Sequence, residues 1–377
     1  MSTGNIRVLV VDDSVVIRTM ICDAIADEPG MEVVGTAADG EKAIEVFKRV
    51  KPDVVTLDIQ MPKLDGLATL DAMLAIQPVP AIMVSSLTQL GGDTTFEALD
   101  RGAIDYVAKP ENGAKAAQVL GTDLIHKLRN AAGTDVSRIL RIRKERKERR
   151  AQQERRKELE QVVPKQHFST INSTHLADKC IAIGISTGGP PALSTLFESL
   201  RPPMPPIVIV QHMPAQFTKP LAWRLNSIAQ LTIKEAASGD ILRPNHVLIA
   251  PGGQHLYVRK HGNMAKVLIR DGEPVSSHKP SVDVMMKSVA EVFPNRCLGV
   301  IMTGMGRDGA DGCRAIKAAG GYTLGQDETS SDVYGMNKVA YVEGNIDRQF
   351  SLDRAAAVIS QQVTRLWEPK PVACGTV

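Results

Sequence analysis

The sequence has little of several features that mark other classes of protein. Aromatic residues make up 4% of its 377 positions and include two tryptophans, which fits α/β cores of aliphatic side chains better than a β-sandwich or a carbohydrate-binding protein. No apolar run reaches the roughly 18 residues of a membrane span, so we expect no insertion into a membrane. The first apolar run is short and ends at Asp12 and Asp13, whereas a signal peptide needs a longer stretch and a cleavage site with small residues.

The cysteines and the distribution of basic residues also limit which kinds of protein fit the sequence. The five cysteines form no C-x-x-C pair, which favours a cytoplasmic protein with free thiols. Residues 138–160 hold 11 basic and 5 acidic residues, so the net charge of +3 hides a segment of net +6. This segment has almost no apolar residues after Ile142 and is predicted to be a solvated charged helix or a disordered linker.

Two α/β patterns flank the basic segment. Short unbroken apolar runs alternate with helical patterns over residues 1–128 and again over residues 179–370, and such runs indicate parallel strands covered on both faces. The pattern over Val247–Ile269 instead predicts an antiparallel meander. We therefore expect an α/β protein with two doubly wound parallel-sheet domains, flavodoxin-like at 1–128 and Rossmann-like with a meander at 179–370, joined by a charged linker at 129–178.

Charged and hydroxyl side chains occur where the strands of the first pattern end. Asp12 and Asp13 follow the first strand, Asp58 ends the third, and Ser85 and Lys109 end the fourth and fifth. Ligands of parallel sheets bind at the carboxyl ends of the strands, so these side chains are expected to converge. Crowded carboxylates attract a cation, and hard oxygen ligands select Mg²⁺. The set fits phosphoryl transfer to Asp58, with Ser85 and Lys109 as donors to the acyl phosphate. Each aspartate taken alone is equally consistent with a helix cap or a turn.

Residues 1–128 resemble a response-regulator receiver domain. The resemblance is carried by Asp12-Asp13, Asp58, Met61-Pro62, Asp65-Gly66, Ser85, and Tyr106 through Lys109-Pro110. It implies that a histidine kinase is the phosphoryl donor to Asp58. It also implies that Mg²⁺ is held by Asp12, Asp13, Asp58 and the main-chain carbonyl of Gln60.

A serine lies on a sharp turn at the start of the second pattern. The residues from Gly184 to Gly188 read G-I-S-T-G and fit G-x-S-x-G between a predicted strand and a predicted helix. Such a turn raises the hydroxyl of Ser186 above the end of the sheet. The motif by itself is weak, and a phosphate-binding glycine-rich turn is the alternative.

A serine nucleophile needs a base and a group that orients the base. Of the eight histidines, only His212 directly follows a predicted parallel strand, whereas His278 could border the cleft. Asp308 follows another strand at the same edge. The loop Gly304-Met305-Gly306 could present main-chain N–H groups to an oxyanion, and a simple tight turn is equally consistent with it. The chain order Ser, His, Asp differs from that of α/β-hydrolases and argues against that fold.

A second resemblance covers about residues 179–365. The stretches GISTGGP, VQHMP, PSVDVM and TGMGRDG are similar to the catalytic domain of chemotaxis protein-glutamate methylesterases. The resemblance implies Ser186 as nucleophile, His212 as base and Asp308 as its orienting group. It further implies an oxyanion hole at the Met305 N–H, with Thr187 beside it, and no cofactor for ester hydrolysis.

The same resemblance implies a substrate and a control. The family hydrolyses γ-glutamyl methyl esters on chemoreceptors and releases methanol, and some members deamidate receptor glutamines. Its unphosphorylated receiver packs against the active-site face, so phosphorylation of Asp58 by the chemotaxis histidine kinase is expected to act as a switch.

Three other functions stay open on the sequence. The second domain could be a non-catalytic module that docks on a partner, although Ser186, His212 and Asp308 are all present. It could hydrolyse small esters or thioesters, although a long apolar lid and an HGGG stretch are both missing. The basic segment suggests a DNA-binding regulator, but no helix-turn-helix pattern follows it, and we expect no nucleic acid partner. That segment could instead contact acidic receptor tips or lipid headgroups, or serve only as a solvated spacer.

Overall fold

The fold is taken from a computed structural model of the chain. The residues described are 4–85, 89–109, 114–145, 148 and 174–367, without the side chains of 89–93, 114–120 and 122. The chain divides into two compact units, Met1–Pro164 and Lys165–Val377, and each is treated by itself. In neither unit does a helix of the described ranges have both the length and the apolar character of a membrane span.

The first unit is a parallel five-stranded sheet between helices. Its elements are β1 (Ile6–Val11), α1 (Val15–Ala26), β2 (Met31–Ala37), α2 (Gly40–Val50), β3 (Val54–Asp58), α3 (Gly66–Ile76), β4 (Ala81–Ser85), α4 (Gln89–Arg101), β5 (Asp105–Ala108) and α5 (Ala114–Ala131). The strand order is β2-β1-β3-β4-β5, with every neighbouring pair parallel. This is the flavodoxin-like order, and the prediction for this unit is confirmed.

Local sequence explains where these elements begin. Every residue of β3 and β4 is buried, because helices cover both faces of the sheet. Three helices begin after a residue whose side chain accepts a main-chain N–H, namely Ser14 for α1, Asp39 for α2 and Asp65 for α3. These caps satisfy donors that have no partner within the helix, and those of α1 and α3 fix the chain after β1 and β3, whose ends carry candidate site residues.

The start of the basic segment is a helix that packs on the first unit. This helix, α6, is described over residues 136–145, and Asp135 caps it by accepting from Arg138 N at 2.9 Å. Val136 and Ile139 are buried in the same apolar cluster as the strands, and the Arg143 guanidinium donates to the Leu99 carbonyl. The predicted solvated segment therefore begins as an amphipathic helix. Residues 149–173, which hold much of its remainder, lie outside the described residues, and the predicted boundaries of the linker stay predictions.

The second unit is a larger parallel sheet. Its elements are β6 (Cys180–Ile185), α7 (Gly189–Ser199), β7 (Ile207–Gln211), α8 (Ala215–Ile228), β8 (Thr232–Glu235), β9 (His246–Ile249), β10 (His255–His261), β11 (Met264–Arg270), α9 (Val282–Val292), β12 (Cys297–Ile301), α10 (Ala310–Ala318), β13 (Tyr322–Gln326), α11 (Met336–Val342), β14 (Arg348–Phe350) and α12 (Ala355–Trp367). Seven strands pair in the order β14-β13-β12-β6-β7-β9-β8, all parallel. The predicted doubly wound sheet is confirmed.

The predicted meander is only partly present. β10 and β11 form the antiparallel hairpin, which turns at Gly262–Asn263 as expected. The first run, β9, instead joins the parallel sheet between β7 and β8. The reason is burial, since Val247, Leu248 and Ile249 are all apolar and buried, as a central parallel strand requires.

The order of the strands reverses beside β6. From β6 the chain continues to β7 on one side, and β12, on its other side, is reached only after α9. Such a switch point leaves a crevice at the carboxyl ends of the strands, because the connections leave in opposite directions. Ser186 lies at this point, immediately after β6.

Candidate functional site

Two aspartates and a lysine meet at the carboxyl edge of the first sheet. Asp12 follows β1 and Asp58 ends β3, and both are buried. Lys109 Nζ lies 2.8 Å from Asp58 Oδ2 and 3.0 Å from Asp12 Oδ2. Carboxylate oxygens of Asp12, Asp13 and Asp58 lie within 4.8 Å of one another. The structure therefore brings together four of the residues that the sequence analysis selected.

The charges of this pocket are poorly solvated. Burial raises the pKa of Asp58 to about 6, against the opposing effect of Lys109, and the neighbouring Asp12 raises it further. Burial likewise raises the pKa of Asp12. Asp12 and Asp58 thus share one ammonium group in a region of low polarity. Three convergent carboxylates are the hard oxygen donors that Mg²⁺ prefers, so the pocket fits a divalent cation.

The other predicted residues of this pocket lie around it. Ser85 ends β4, and its Oγ accepts from Thr95 Oγ1 at 2.9 Å. Gln60 follows Asp58 by two residues and donates its N–H to Asp58 Oδ1 at 3.3 Å. A Cβ at Gly66 would overlap the Asp58 carbonyl oxygen, so this turn requires glycine. The Asp65-Gly66 pair thereby holds α3 close against the end of β3.

Ser186 stands on a tight turn between β6 and α7. Its N–H donates to the Thr303 carbonyl at 3.0 Å, and its own carbonyl accepts from Gly189 N at 2.7 Å. Gly188 has a φ of +75°, which favours glycine, and a Cβ at Gly189 would overlap the Gln211 side chain. The glycines therefore permit the close turn that the G-x-S-x-G pattern predicts.

His212 lies at the end of the neighbouring strand and contacts Asp308. The His212 N–H donates to the Ile185 carbonyl at 3.1 Å, so His212 and Ser186 leave adjacent strands at the same edge. His212 Nε2 lies 2.8 Å from Asp308 Oδ2. His212 Nδ1 is buried and makes no hydrogen bond to any residue that the structure describes. The pair that was predicted from strand ends is thus in contact.

Asp308 is held as a carboxylate by several donors. Its oxygens accept from Ser281 Oγ at 2.8 Å, Val282 N at 2.7 Å and Asp283 N at 3.0 Å, in addition to His212. Burial alone would raise its pKa, but the hydrogen bond and charge of His212 and the main-chain N–H groups lower it to about 2. Asp308 is therefore ionised at every pH at which the protein would work, and the proton between it and His212 resides on Nε2.

The loop after β12 lies against the serine. A Cβ at Gly304 would overlap Met336 Sδ and lie 2.8 Å from Ser186 Cβ, so only glycine allows this approach. The Gly304 carbonyl accepts from Met336 N at 2.8 Å, which fixes the loop from its other side. Met305 follows directly, and the Thr187 carbonyl accepts from Thr303 Oγ1 at 3.0 Å. Met305 and Thr187 thus both flank the serine.

Several residues of this site escaped the sequence analysis. Ser281 caps α9 and also bonds Asp308, and Gln211 Nε2 donates to the carbonyls of Ser186 and His212. Asp283 Oδ1 accepts from Gly309 N at 2.9 Å and Gly312 N at 2.7 Å, at the start of α10. A serine before an apolar helix was a usable signal for Ser281. The contacts of Gln211 and Asp283 depend on packing that no local pattern indicates.

Two family models match the chain. One is the response regulator receiver domain, over residues 8–121, and the other is CheB methylesterase, over residues 181–359. A protein-glutamate methylesterase/protein-glutamine glutaminase of Syntrophotalea carbinolica is 42% identical over 93% of this chain and 96% of that protein. Relatives so named from Sulfurimonas denitrificans and Geobacter metallireducens are each 41% identical, over 91% and 92% of this chain and 94% and 93% of theirs.

The chain belongs to the CheB methylesterase family. Both resemblances that the motifs predicted are therefore confirmed, the receiver for the first unit and the methylesterase for the second. The crevice at the switch point falls within the matched methylesterase region, and the acidic pocket falls within the matched receiver region. The roles of single residues stay predictions.

Proposed function

We propose that this protein hydrolyses glutamate γ-methyl esters on chemoreceptors, that it also deamidates receptor glutamines, and that phosphorylation of Asp58 controls it in chemotactic adaptation. The catalytic proposal is carried by one observation. His212 Nε2 lies 2.8 Å from Asp308 Oδ2 at the strand edge from which Ser186 also leaves. A histidine oriented by an ionised carboxylate beside a serine on a sharp turn is the arrangement that activates a serine hydroxyl.

His212 Nδ1 is the atom proposed to take the proton of Ser186 Oγ. Because the Nε2–H is donated to Asp308, the lone pair of the neutral ring is on Nδ1, which is buried and makes no other hydrogen bond within the described residues. Ser186 Oγ attacks the ester carbonyl carbon as its proton passes to Nδ1. The Asp308 carboxylate stabilises the imidazolium that forms.

The rest of the reaction follows from the same groups. The N–H groups of Met305 and Thr187 are proposed to donate to the oxyanion of the tetrahedral intermediate. The C–O bond to the methoxy group then breaks, and the Nδ1 proton leaves with it as methanol. Water attacks the acyl-enzyme, gives a proton to Nδ1, and releases glutamate as Ser186 Oγ regains that proton. A glutamine amide would follow the same path with ammonia as the leaving group.

The receiver is proposed to accept a phosphoryl group at Asp58 from a chemotaxis histidine kinase. The side chains of Asp12, Asp13 and Asp58 and the main-chain carbonyl of Gln60 would hold Mg²⁺, which neutralises phosphoryl oxygens when bound. Lys109 Nζ lies 2.8 Å from Asp58 Oδ2. Lys109 and Ser85 are proposed to donate hydrogen bonds to the acyl phosphate. The match to a receiver model over residues 8–121 supports this assignment.

The proposed compartment is the cytoplasm. Cys180 and Cys297 are direct register partners on β6 and β12, yet both are free thiols. Unpaired cysteines fit a reducing compartment, because secreted proteins commonly pair theirs in disulfides.

Methanol release from methylated chemoreceptor fragments tests the catalytic proposal. We expect Ser186→Ala to lower the rate by a factor on the order of 10⁴ or more, because no other group would supply the nucleophile. Ser227→Ala is the matched control, since Ser227 is exposed on α8 and its Oγ donates to the Arg224 carbonyl within the same helix. Methanol release by Ser186→Ala at the wild-type rate would remove Ser186 from the mechanism. If wild type releases none but binds the fragments, the second unit is a docking module.

A further inference from the structure

A second imidazole covers one face of the proposed base. The ring centroids of His212 and His278 are 3.7 Å apart, and the two planes differ by 13°. His212 is held in its own plane by Asp308, but a hydrogen bond at one nitrogen leaves the ring free to rock about that contact. A flat group stacked on the face opposes this motion, because rocking would drive the two rings into each other.

His278 is itself fixed by a tight turn. Val275 and His278 exchange both of their main-chain hydrogen bonds, N to O at 3.1 and 3.0 Å. Between them, Ser276 and Ser277 have φ values of +52° and +64°, the left-handed region that a type I′ turn requires and that serine rarely adopts. Strained backbone of this kind persists only where the surrounding contacts impose it.

Two further contacts determine how the turn presents the ring. His278 Nδ1 lies 2.6 Å from the Ser276 carbonyl. A carbonyl only accepts, so Nδ1 carries the hydrogen and the ring plane is set. Ser276 Oγ in turn lies 3.5 Å from Asp283 Oδ2. The turn is thereby linked to α9, which begins at Val282 and whose first N–H groups hold Asp308. The ring that covers His212 and the carboxylate that bonds it are thus fixed to the same element.

The same side chains do not form a favourable metal site. Donor atoms of His212, His278 and Asp308 lie within 4.8 Å of one another, which is a composition that zinc accepts. The nitrogen lone pairs lie in the planes of the two nearly parallel rings, however, so they run side by side and do not converge on a common centre. Asp308 also already accepts four hydrogen bonds. A cation would have to break the ring stack and displace hydrogen bonds of Asp308, so the stacked arrangement is favoured over a metal site.

We propose that His278 is a positioning residue for ester hydrolysis, which holds the His212 ring in the orientation that directs Nδ1 to Ser186. This inference rests on the proposed role of His212 as the base. His278 acts through the flat face of its ring, so a phenyl ring should replace it and a methyl group should not. The His278 side chain exchanges no proton with substrate in this proposal.

The test compares His278→Ala and His278→Phe with wild type in the full chain. The first readout is the second-order rate of covalent modification of Ser186 by a fluorophosphonate, which depends on the serine and its base but not on a receptor substrate. Since misplacement of a catalytic group by about 1 Å can cost about 100-fold, we expect His278→Ala to be modified about tenfold more slowly or worse. His278→Phe should stay within about threefold of wild type. His261→Ala, an exposed histidine at the end of β10, should equal wild type.

A second readout separates positioning from a general loss of structure. The His212 Nε2–H proton bonded to Asp308 should give a downfield NMR resonance that is absent from His212→Phe. We expect that resonance to broaden or disappear in His278→Ala and to be restored in His278→Phe, at temperatures where calorimetry shows all three variants folded. In the methanol assay, His278→Ala should have a lower kcat than wild type, with KM nearly unchanged.

The outcomes separate a failure of the positioning role of His278 from a failure of the proposed function. If wild type is not modified at Ser186 and releases no methanol, the proposed function itself fails. If wild type reacts and His278→Ala reacts equally fast with an unchanged resonance, only the positioning role is overturned. It is also overturned if His278→Phe is as slow as His278→Ala, because a flat ring would then be insufficient.

Discussion

Two neighbouring carboxyl groups of the second unit are driven to opposite protonation behaviour. Asp308 accepts from His212 and from two main-chain N–H groups, which together outweigh its burial and lower its pKa to about 2. Asp283 is buried beside the negative charge of Asp308, and both effects raise its pKa to about 6, against the opposing N–H of Gly312. The negative charge of Asp308 therefore makes its neighbour Asp283 harder to ionise.

This contrast predicts a pH dependence of stability. The pKa of Asp283 is raised from 3.8 to about 6 on folding, so between these values the folded state binds a proton that the unfolded state has lost. The contribution of Asp283 to stability therefore falls as pH rises through this window, and it is lowest above pH 6. In Asp283→Asn the amide oxygen can still accept from Gly309 and Gly312. We expect calorimetry to show wild type losing stability relative to Asp283→Asn between about pH 3.8 and pH 6.

A matched control is Glu273→Gln, which removes an acidic group from an exposed position. Its melting temperature should follow that of wild type across the same range. Parallel curves for wild type and Asp283→Asn would show that Asp283 does not take up a proton on folding.

Most of the site could be predicted residue by residue, because parallel strands end at one edge. Asp12, Asp58, Ser186 and His212 all lie at or just beyond strand ends that apolar runs reveal. Which nitrogen of His212 faces Asp308 could not be predicted, because it depends on ring orientation. The stack of His212 on His278 could not be predicted either. It depends on a turn in which two serines have positive φ, and no sequence pattern indicates such a turn.

At the scale of elements, α6 is the main addition to the expected fold. Its buried face is small, consisting of Val136 and Ile139 with the partly buried Leu140. The same helix carries the beginning of the basic segment. A sequence with two or three apolar positions among many charges looks solvated, although this spacing is enough to pack one edge against a neighbouring core.

Replacing one of these apolar side chains measures that packing. Ile139 is 1% exposed, and Ile139→Ala should destabilise the first unit by about 2–4 kcal/mol because it leaves a cavity. Ile142→Ala, on the same helix but only half-buried, is the matched control and should cost clearly less. Native-state hydrogen exchange at the amides of β4 and β5 would report the difference. Equal exchange in the two variants would mean that α6 does not contribute to the core of the first unit.

Elements that follow simple patterns were predictable, and those that depend on their neighbours were not. Three inner strands of the second sheet, β6, β7 and β12, are largely apolar and were identified directly. β9 was assigned to a meander because it precedes two hairpin strands, and only its pairing with β7 and β8 shows its place. β14 is three residues long with one buried side chain, so its pattern carries too little information.

At the scale of the whole molecule, one chain joins a receiver to a methylesterase. A phosphoryl group on Asp58 can influence Ser186 of the second unit only if it changes the relative stability of two states of the molecule. We therefore expect acetyl phosphate with Mg²⁺ to accelerate methanol release by wild type, and we expect Asp58→Asn to abolish this stimulation. Coupling of 1–3 kcal/mol, typical of such switches, corresponds to a stimulation of about 5- to 150-fold.

The control for this experiment is Asp53→Asn. Asp53 is exposed and accepts from Arg7 N at the opposite end of β1, so its loss should leave the stimulation intact. Stimulation that persists in Asp58→Asn would place the phosphoryl acceptor elsewhere. Stimulation that requires Asp58 but not Mg²⁺ would contradict the proposed role of Asp12 and Asp13 as metal ligands.

The packing of α6 has a consequence for where the first unit can be separated from the rest of the chain. A cut is tolerated where few contacts cross it. A cut at residue 128 would separate Val136 and Ile139 from the strands they cover. A first unit cut there would expose an open apolar patch, so an excised receiver has to include α6 if its core is to stay covered.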